Sequence, residues 1–99
     1  MRLPDLDRIL SAMLKTYEGI SDLNFSVGHP LQVESFGELK PVFVDPPIDG
    51  LTPYQTEQVA LSLMQGNRRL IYDFLTTGSC DCSYGLDEEA RFRVNIFRQ

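Results

Sequence analysis

The chain has 99 residues, 42% apolar and 23% charged, with a formal net charge of −5. That size is one domain, 1–99, able to bury one modest core without disulfides or metal staples. The acidic balance argues against non-specific nucleic-acid binding, no apolar run nears the ~20 residues of a membrane span, and MRLPDLDRIL lacks the apolar core of a signal peptide. The expectation is a cytoplasmic protein with no nucleic-acid partner.

In chain order, residues 5–18 read as a helix. Leu6, Ile9, Leu10, Met13, Leu14 and Tyr17 recur at spacings of three and four. Pro4 and Asp5 suit its start, and Gly19 its end. SDLNFSVG then alternates, Leu23, Phe25 and Val27 on one side and Asp22, Asn24 and Ser26 on the other, as in a half-buried strand. Gly28-His29-Pro30 is a turn. LQVESF predicts a second strand, Gly37-Glu38 a tight connection, and 39–44 a third strand. Pro41 has no N–H for a ladder bond, so this strand belongs at a sheet edge.

DPPIDG at 45–50 is a loop. Thr52 and Pro53 open a helix as N-cap and first helical residue, with Glu57 too far along for a capping box. Val59, Leu61, Leu63 and Met64 lie in it, and Gly66 ends it. Asn67 caps a further helix with Leu70, Ile71, Phe74 and Leu75 inward, closed by Gly78. CDCSYGL is the fourth strand, DEEA a charged loop, and RFRVNIF the fifth. The order α-β-β-β-α-α-β-β, with hairpin-length connections around a helical pair, predicts an α+β layer. It is an antiparallel sheet of about five strands with helices on one face.

Chemistry-bearing motifs are few. No G-x-x-x-x-G-K-[ST] loop and no G-x-S-x-G elbow occur. The single His29 sits in its turn, and the Asp87-Glu88-Glu89 run reads as a solvated loop. Cys80 and Cys82 make C-x-C. Strand positions i and i+2 point the same way, which disfavours a disulfide, and two thiols fall short of a metal site; they read as small core side chains. No catalytic residue and no metal site are therefore expected.

The closing stretch ARFRVNIFRQ, 90–99, is different. Residues 1–90 hold six basic and fourteen acidic side chains, a net of −8, whereas Arg91, Arg93 and Arg98 contribute +3. Phe92, Val94 and Ile96 form the apolar phase, with Arg98 in register, and Arg91, Arg93, Asn95 and Phe97 form the other. Two arginines on one strand face, about 7 Å apart, can straddle a phosphate or carboxylate. The bland alternative is a solvated face, with a neighbour such as Asp81 as cross-strand partner.

Several stretches together, SDLNFSVGHP, FGEL, LTP, CDCSYGL and ARFRVNIFRQ, resemble the N-terminal domain of the type IV pilus retraction ATPases, the PilT type of the secretion-ATPase superfamily. There the first and last read like SDLHLSxGxPP and ARFRVNxFxQ. The resemblance covers residues 20–99 and implies a PAS-like α+β module, followed in the family by a short linker and a RecA-like ATPase domain. That second domain carries the phosphate loop and Mg²⁺ ligands, none of which this chain has. It further implies a cytoplasmic homohexamer working at the inner-membrane pilus machinery, with ATP and Mg²⁺ as cofactors of the full-length protein. The domain alone would be monomeric, inactive and free of cofactor.

In that reading Arg91, Arg93 and Arg98 reach toward the γ-phosphate of ATP held by a RecA-like domain, of the same or a neighbouring subunit. The chain departs from the pattern at Asn24, where the family usually has His, and at Cys80 and Cys82, where it has large apolar residues. Leu31 replaces a second proline, and 73–79 is less acidic than usual. A stand-alone PAS-like sensor or interaction module is the alternative; no polar group aimed into an apolar pocket favours it.

Overall fold

A computed structural model describes residues 3–44, 47–64, 67–85 and 91–98. The elements run α1 (Leu3–Thr16), β1 (Ile20–Ser26), β2 (Leu31–Ser35), β3 (Glu38–Val42), α2 (Pro53–Met64), α3 (Arg68–Thr77), β4 (Ser79–Gly85) and β5 (Arg91–Phe97). This is the expected order. The expected end of α2 at Gly66, the last residue of the expected fourth strand, Leu86, and the charged loop 87–90 lie outside the described residues, as do Asp45 and Pro46.

The five strands form one sheet in the order β3-β2-β1-β5-β4. Three pairings are antiparallel, but the central one, β1 with β5, is parallel. The sheet is thus mixed. Hairpin lengths between neighbours in sequence predict antiparallel pairs only; they carry no signal for strands so far apart in the chain. β3 is an edge strand, as Pro41 requires, and the Pro41 carbonyl accepts the Tyr17 hydroxyl at 2.9 Å.

Alternation along the strands sorts the side chains. Val33, Leu23, Val94 and Cys82 share one row across the sheet, and Phe25, Ile96 and Cys80 another. These rows meet α1, which packs on β1 and β2, and the α2–α3 pair, which packs on β4 and β5. Leu6, Leu10 and Met13 of α1 and Val59, Ala60 and Met64 of α2 close the core. Fully burying each of the Leu, Met and Val side chains stabilises by about 1.5–3 kcal/mol. Thr56 is buried among them, and its hydroxyl donates to the Thr52 carbonyl at 3.1 Å. In α3, Phe74 is buried and Leu70 and Ile71 pack against the core. Leu75, expected inward, is 51% exposed; ten residues of helix leave room for only one narrow stripe against the sheet.

The ends of the helices follow local chemistry. Thr52 Oγ1 accepts from the Gln55 N–H at 3.1 Å, and Gln55 Oε1 accepts from the Thr52 N–H at 3.0 Å. This is a reciprocal capping box, made by Gln55 at the third helical position, with Glu57 uninvolved. Asn67 Oδ1 accepts from the Leu70 N–H at 3.2 Å, and Gly78, at φ 80°, donates its N–H to the Phe74 carbonyl. The β2–β3 turn falls on Phe36-Gly37, one residue earlier than expected, both with positive φ as a two-residue hairpin needs. Phe36 adopts φ 49° while donating its N–H to the Gly19 carbonyl at 3.0 Å. Its ring lies where a Cβ on residue 19 would stand, so glycine is needed there.

Candidate functional site

The opposite face of the sheet is polar, and no described helix packs on it. One row runs Leu39, Glu34, Asp22, Arg93, Ser83, and the next Pro41, Gln32, Asn24, Asn95, Asp81. The parallel register of β1 and β5 sets Asp22 opposite Arg93 and Asn24 opposite Asn95. Residues far apart in the chain thereby become one cluster. Asp22 Oδ2 accepts from Arg93 Nε at 2.8 Å and from Asn95 Nδ2 at 2.7 Å, and Asn95 Nδ2 also donates to Asn24 Oδ1 at 2.9 Å.

Burial grades the cluster. Asp22 is 4% exposed and Asn95 9%, whereas the Arg93 side chain is 63% exposed. Burial pushes the Asp22 carboxyl up. Hydrogen bonds from Asn95, Arg93 and Ser21, with the Arg93 charge, outweigh it and hold the group below its ordinary 3.8. Asp22 is therefore a carboxylate at neutral pH, and its hydrogen bond raises the already high Arg93 value. The cross-strand partner of Arg93 is Asp22 on the parallel neighbour. Asp81, the partner expected from the sequence, stands opposite Asn95 and acts on Arg93 only through its charge.

The structure sets Arg98 apart from Arg93. The Arg91 backbone pairs with Gly85 at the far end of the β4–β5 ladder, and its side chain lies outside the described residues. Arg98, in the apolar phase, turns to the helices. Its backbone N–H donates to Gly78 O at 2.7 Å and Nη2 to the Leu75 carbonyl at 3.1 Å, while the guanidinium lies 5.6 Å from the Phe74 ring centre. A cation over the last carbonyls of a helix is favourably placed against its dipole. Arg98 thus holds the end of α3 to the sheet.

Cys80 and Cys82 are both free thiols facing the helices, Cys80 buried and Cys82 half-buried. Burial, and then the neighbouring Cys80, push the Cys82 thiol up to about 12, and burial raises Cys80 also. His29 is exposed in its turn and contributes a backbone carbonyl to Leu51. Among the described residues no three His, Cys, Asp or Glu side chains are grouped to hold a metal, and no helix is long and apolar enough to cross a membrane. A shallow depression at the β4 edge is lined by Asp81, Cys82, Ser83, Phe92 and Arg93.

Asp22, Asn24 and Asn95 are the site residues that sequence reasoning passed over. The available signal was that SDLN and RFRVN both carried the resemblance; the pairing of β1 with β5 sets these two distant stretches side by side. No known protein-family model matches the chain, and comparison with curated proteins finds no match.

Proposed function

We propose that the chain is the N-terminal domain of a hexameric ATP-driven motor for type IV pilus retraction, cytoplasmic and attached to the inner-membrane pilus machinery. A RecA-like domain supplies the phosphate loop and Mg²⁺ site. This domain supplies arginine toward the γ-phosphate and a surface for the neighbouring subunit. The observation that carries the reading is the pairing of Asp22-Leu23-Asn24 with Arg93-Val94-Asn95, within the two most specific stretches of the resemblance. They lie side by side and hydrogen-bonded on the sheet face that the helices leave open.

The chemistry is electrostatic. A guanidinium fixed near a transferring phosphoryl group stabilises the negative charge that develops there, and loses its partner when the γ-phosphate leaves. Arg93 and Arg91 are the arginines offered in this way. Arg98, bound to α3, serves within the domain. In the full-length motor, Arg93→Ala should lower ATP turnover by a factor on the order of 10³, with hexamer assembly retained. Lysine should restore little, because it lacks the planar fork. Turnover by the alanine variant at the parent rate would reduce Arg93 to a solvated ion pair.

A further inference from the structure

We propose that Asp22 is a positioning residue: it grips the Arg93 guanidinium by Nε, so that the outer Nη edge is aimed from the open face at an oxyanion of phosphate type. The inference rests on the motor reading above and assigns a task to a residue that the resemblance leaves without one.

Three observations support it. The first is the gradient of burial within one ion pair. The Asp22 side chain is 6% exposed and that of Arg93 63%. The anchored end is the carboxylate, and the reaching end is the cation.

The second is that Asp22 is itself held. Asn95 Nδ2 donates to Asp22 Oδ2 and to Asn24 Oδ1, one amide group bonding two acceptors. That fixes which way the Asn95 amide points, since the reversed amide would set oxygen against both acceptors. Both partners of Asp22 sit on β5, which pairs in register with the central strand β1. A second set of residues thus orients the group that orients the arginine.

The third is the shape of guanidinium. It offers two bidentate edges, one containing Nε and one made of the two Nη groups. The bond to Asp22 runs through Nε. The end-on edge is the one suited to bridging two oxygens of a phosphate arriving from outside the sheet. Rotation of the guanidinium is restrained while Asp22 holds it, so less freedom is lost when the anion binds.

The test is steady-state ATP turnover in the full-length motor, with parent, Asp22→Asn, Asp22→Glu, Arg93→Ala and the double variant Asp22→Asn/Arg93→Ala. Asp22→Asn should lower kcat by about 10²-fold with KM little changed, the scale expected for a misplaced catalytic group. Asp22→Glu, which keeps the charge but shifts it by one methylene, should fall between, and it serves in place of Asp22→Asn if that variant fails to assemble. In the Arg93→Ala background the Asp22 change should add nothing further. A normal rate for Arg93→Ala sinks the motor reading and this inference together. A slow Arg93→Ala with a normal Asp22→Asn keeps the motor reading and overturns the positioning role. Equal losses from Asp22→Asn with and without Arg93 also overturn it, because a merely structural carboxylate acts in both backgrounds alike.

Discussion

Arg93 and Arg98 come from the same closing segment and meet opposite surroundings. Arg93 stands in the polar phase, on the open face, beside a buried carboxylate that belongs to a strand at the other end of the chain. Arg98 stands in the apolar phase, against the helices, over an aromatic ring and the last carbonyls of α3. The pair teaches that an arginine's role follows from the phase of its strand. On the covered face a cation is kept only where a helix end and a ring accept it. On the open face it is available to something outside the domain.

Substitutions can break or sharpen this contrast. The covered face should dominate stability. Phe25→Ala empties the centre of the core and should cost about 3–5 kcal/mol in urea unfolding, a large part of the ~5–15 kcal/mol typical of a domain. A loss under about 1 kcal/mol would mean that the helices are not packed on this face as described.

Next comes the open face. Asp22→Asn should cost about 1–3 kcal/mol at neutral pH, because it weakens the acceptor shared by Arg93 and Asn95. The effect has a pH signature. The folded-state value of Asp22 is lowered, so its contribution is complete above the ordinary 3.8 and is lost as pH falls through the lowered value. The stability gap between parent and Asp22→Asn should therefore narrow with acidification below about pH 4. A gap constant down to pH 2 would show the carboxylate to be unlinked. Arg93→Ala should destabilise in the same direction, but less than loss of the buried partner.

Arg98→Ala should cost about 0.5–1 kcal/mol, the scale of one exposed cation–π contact and a helix-end interaction. Faster amide exchange at Gly78 would be its local sign, since that N–H closes α3 on Phe74. The smallest effect belongs to the thiols. Cys80→Val with Cys82→Val should change stability by less than ~1.5 kcal/mol, as volume-conserving apolar swaps do. With the Cys82 thiol pushed up to about 12, maleimide labelling of it in the folded protein at neutral pH should be slow. Rapid labelling would place it on the open side of β4.

Much of the fold was legible before the structure. The apolar stripe from Leu6 to Tyr17, the alternation around Leu23 and Phe25, Pro41 at an edge, and the caps Thr52, Asn67 and Gly78 are short-range signals, and the elements appear in the order they give, with α1 at Leu3–Thr16 where 5–18 was expected and β3 at Glu38–Val42 where 39–44 was expected. The misses share a cause. Gln55 completes the cap that an acid was sought for, because either oxygen-bearing side chain reaches back over one turn. Leu75 is periodic yet exposed, because periodicity names a face and not how much of it is covered. Of the site, Arg93 was visible as a charge out of place. Its true partner was not, since pairing across strands far apart in the chain leaves no local trace.

By itself, the sequence determined eight elements in order, the caps at Thr52, Asn67 and Gly78, the inward side of β1, β4 and β5, and an arginine-bearing last strand on an acidic chain. These depend on backbone periodicity and on neighbours within a few residues. Only the tertiary structure decided that β5 enters the sheet beside β1 and parallel to it. That choice puts Asp22 against Arg93 and Asn24 against Asn95, and sends Arg98 to the other side. Its physical basis is non-local: burial of Leu23, Phe25, Val94 and Ile96 together on one face dictates the register, and the polar partners on the other face follow from it.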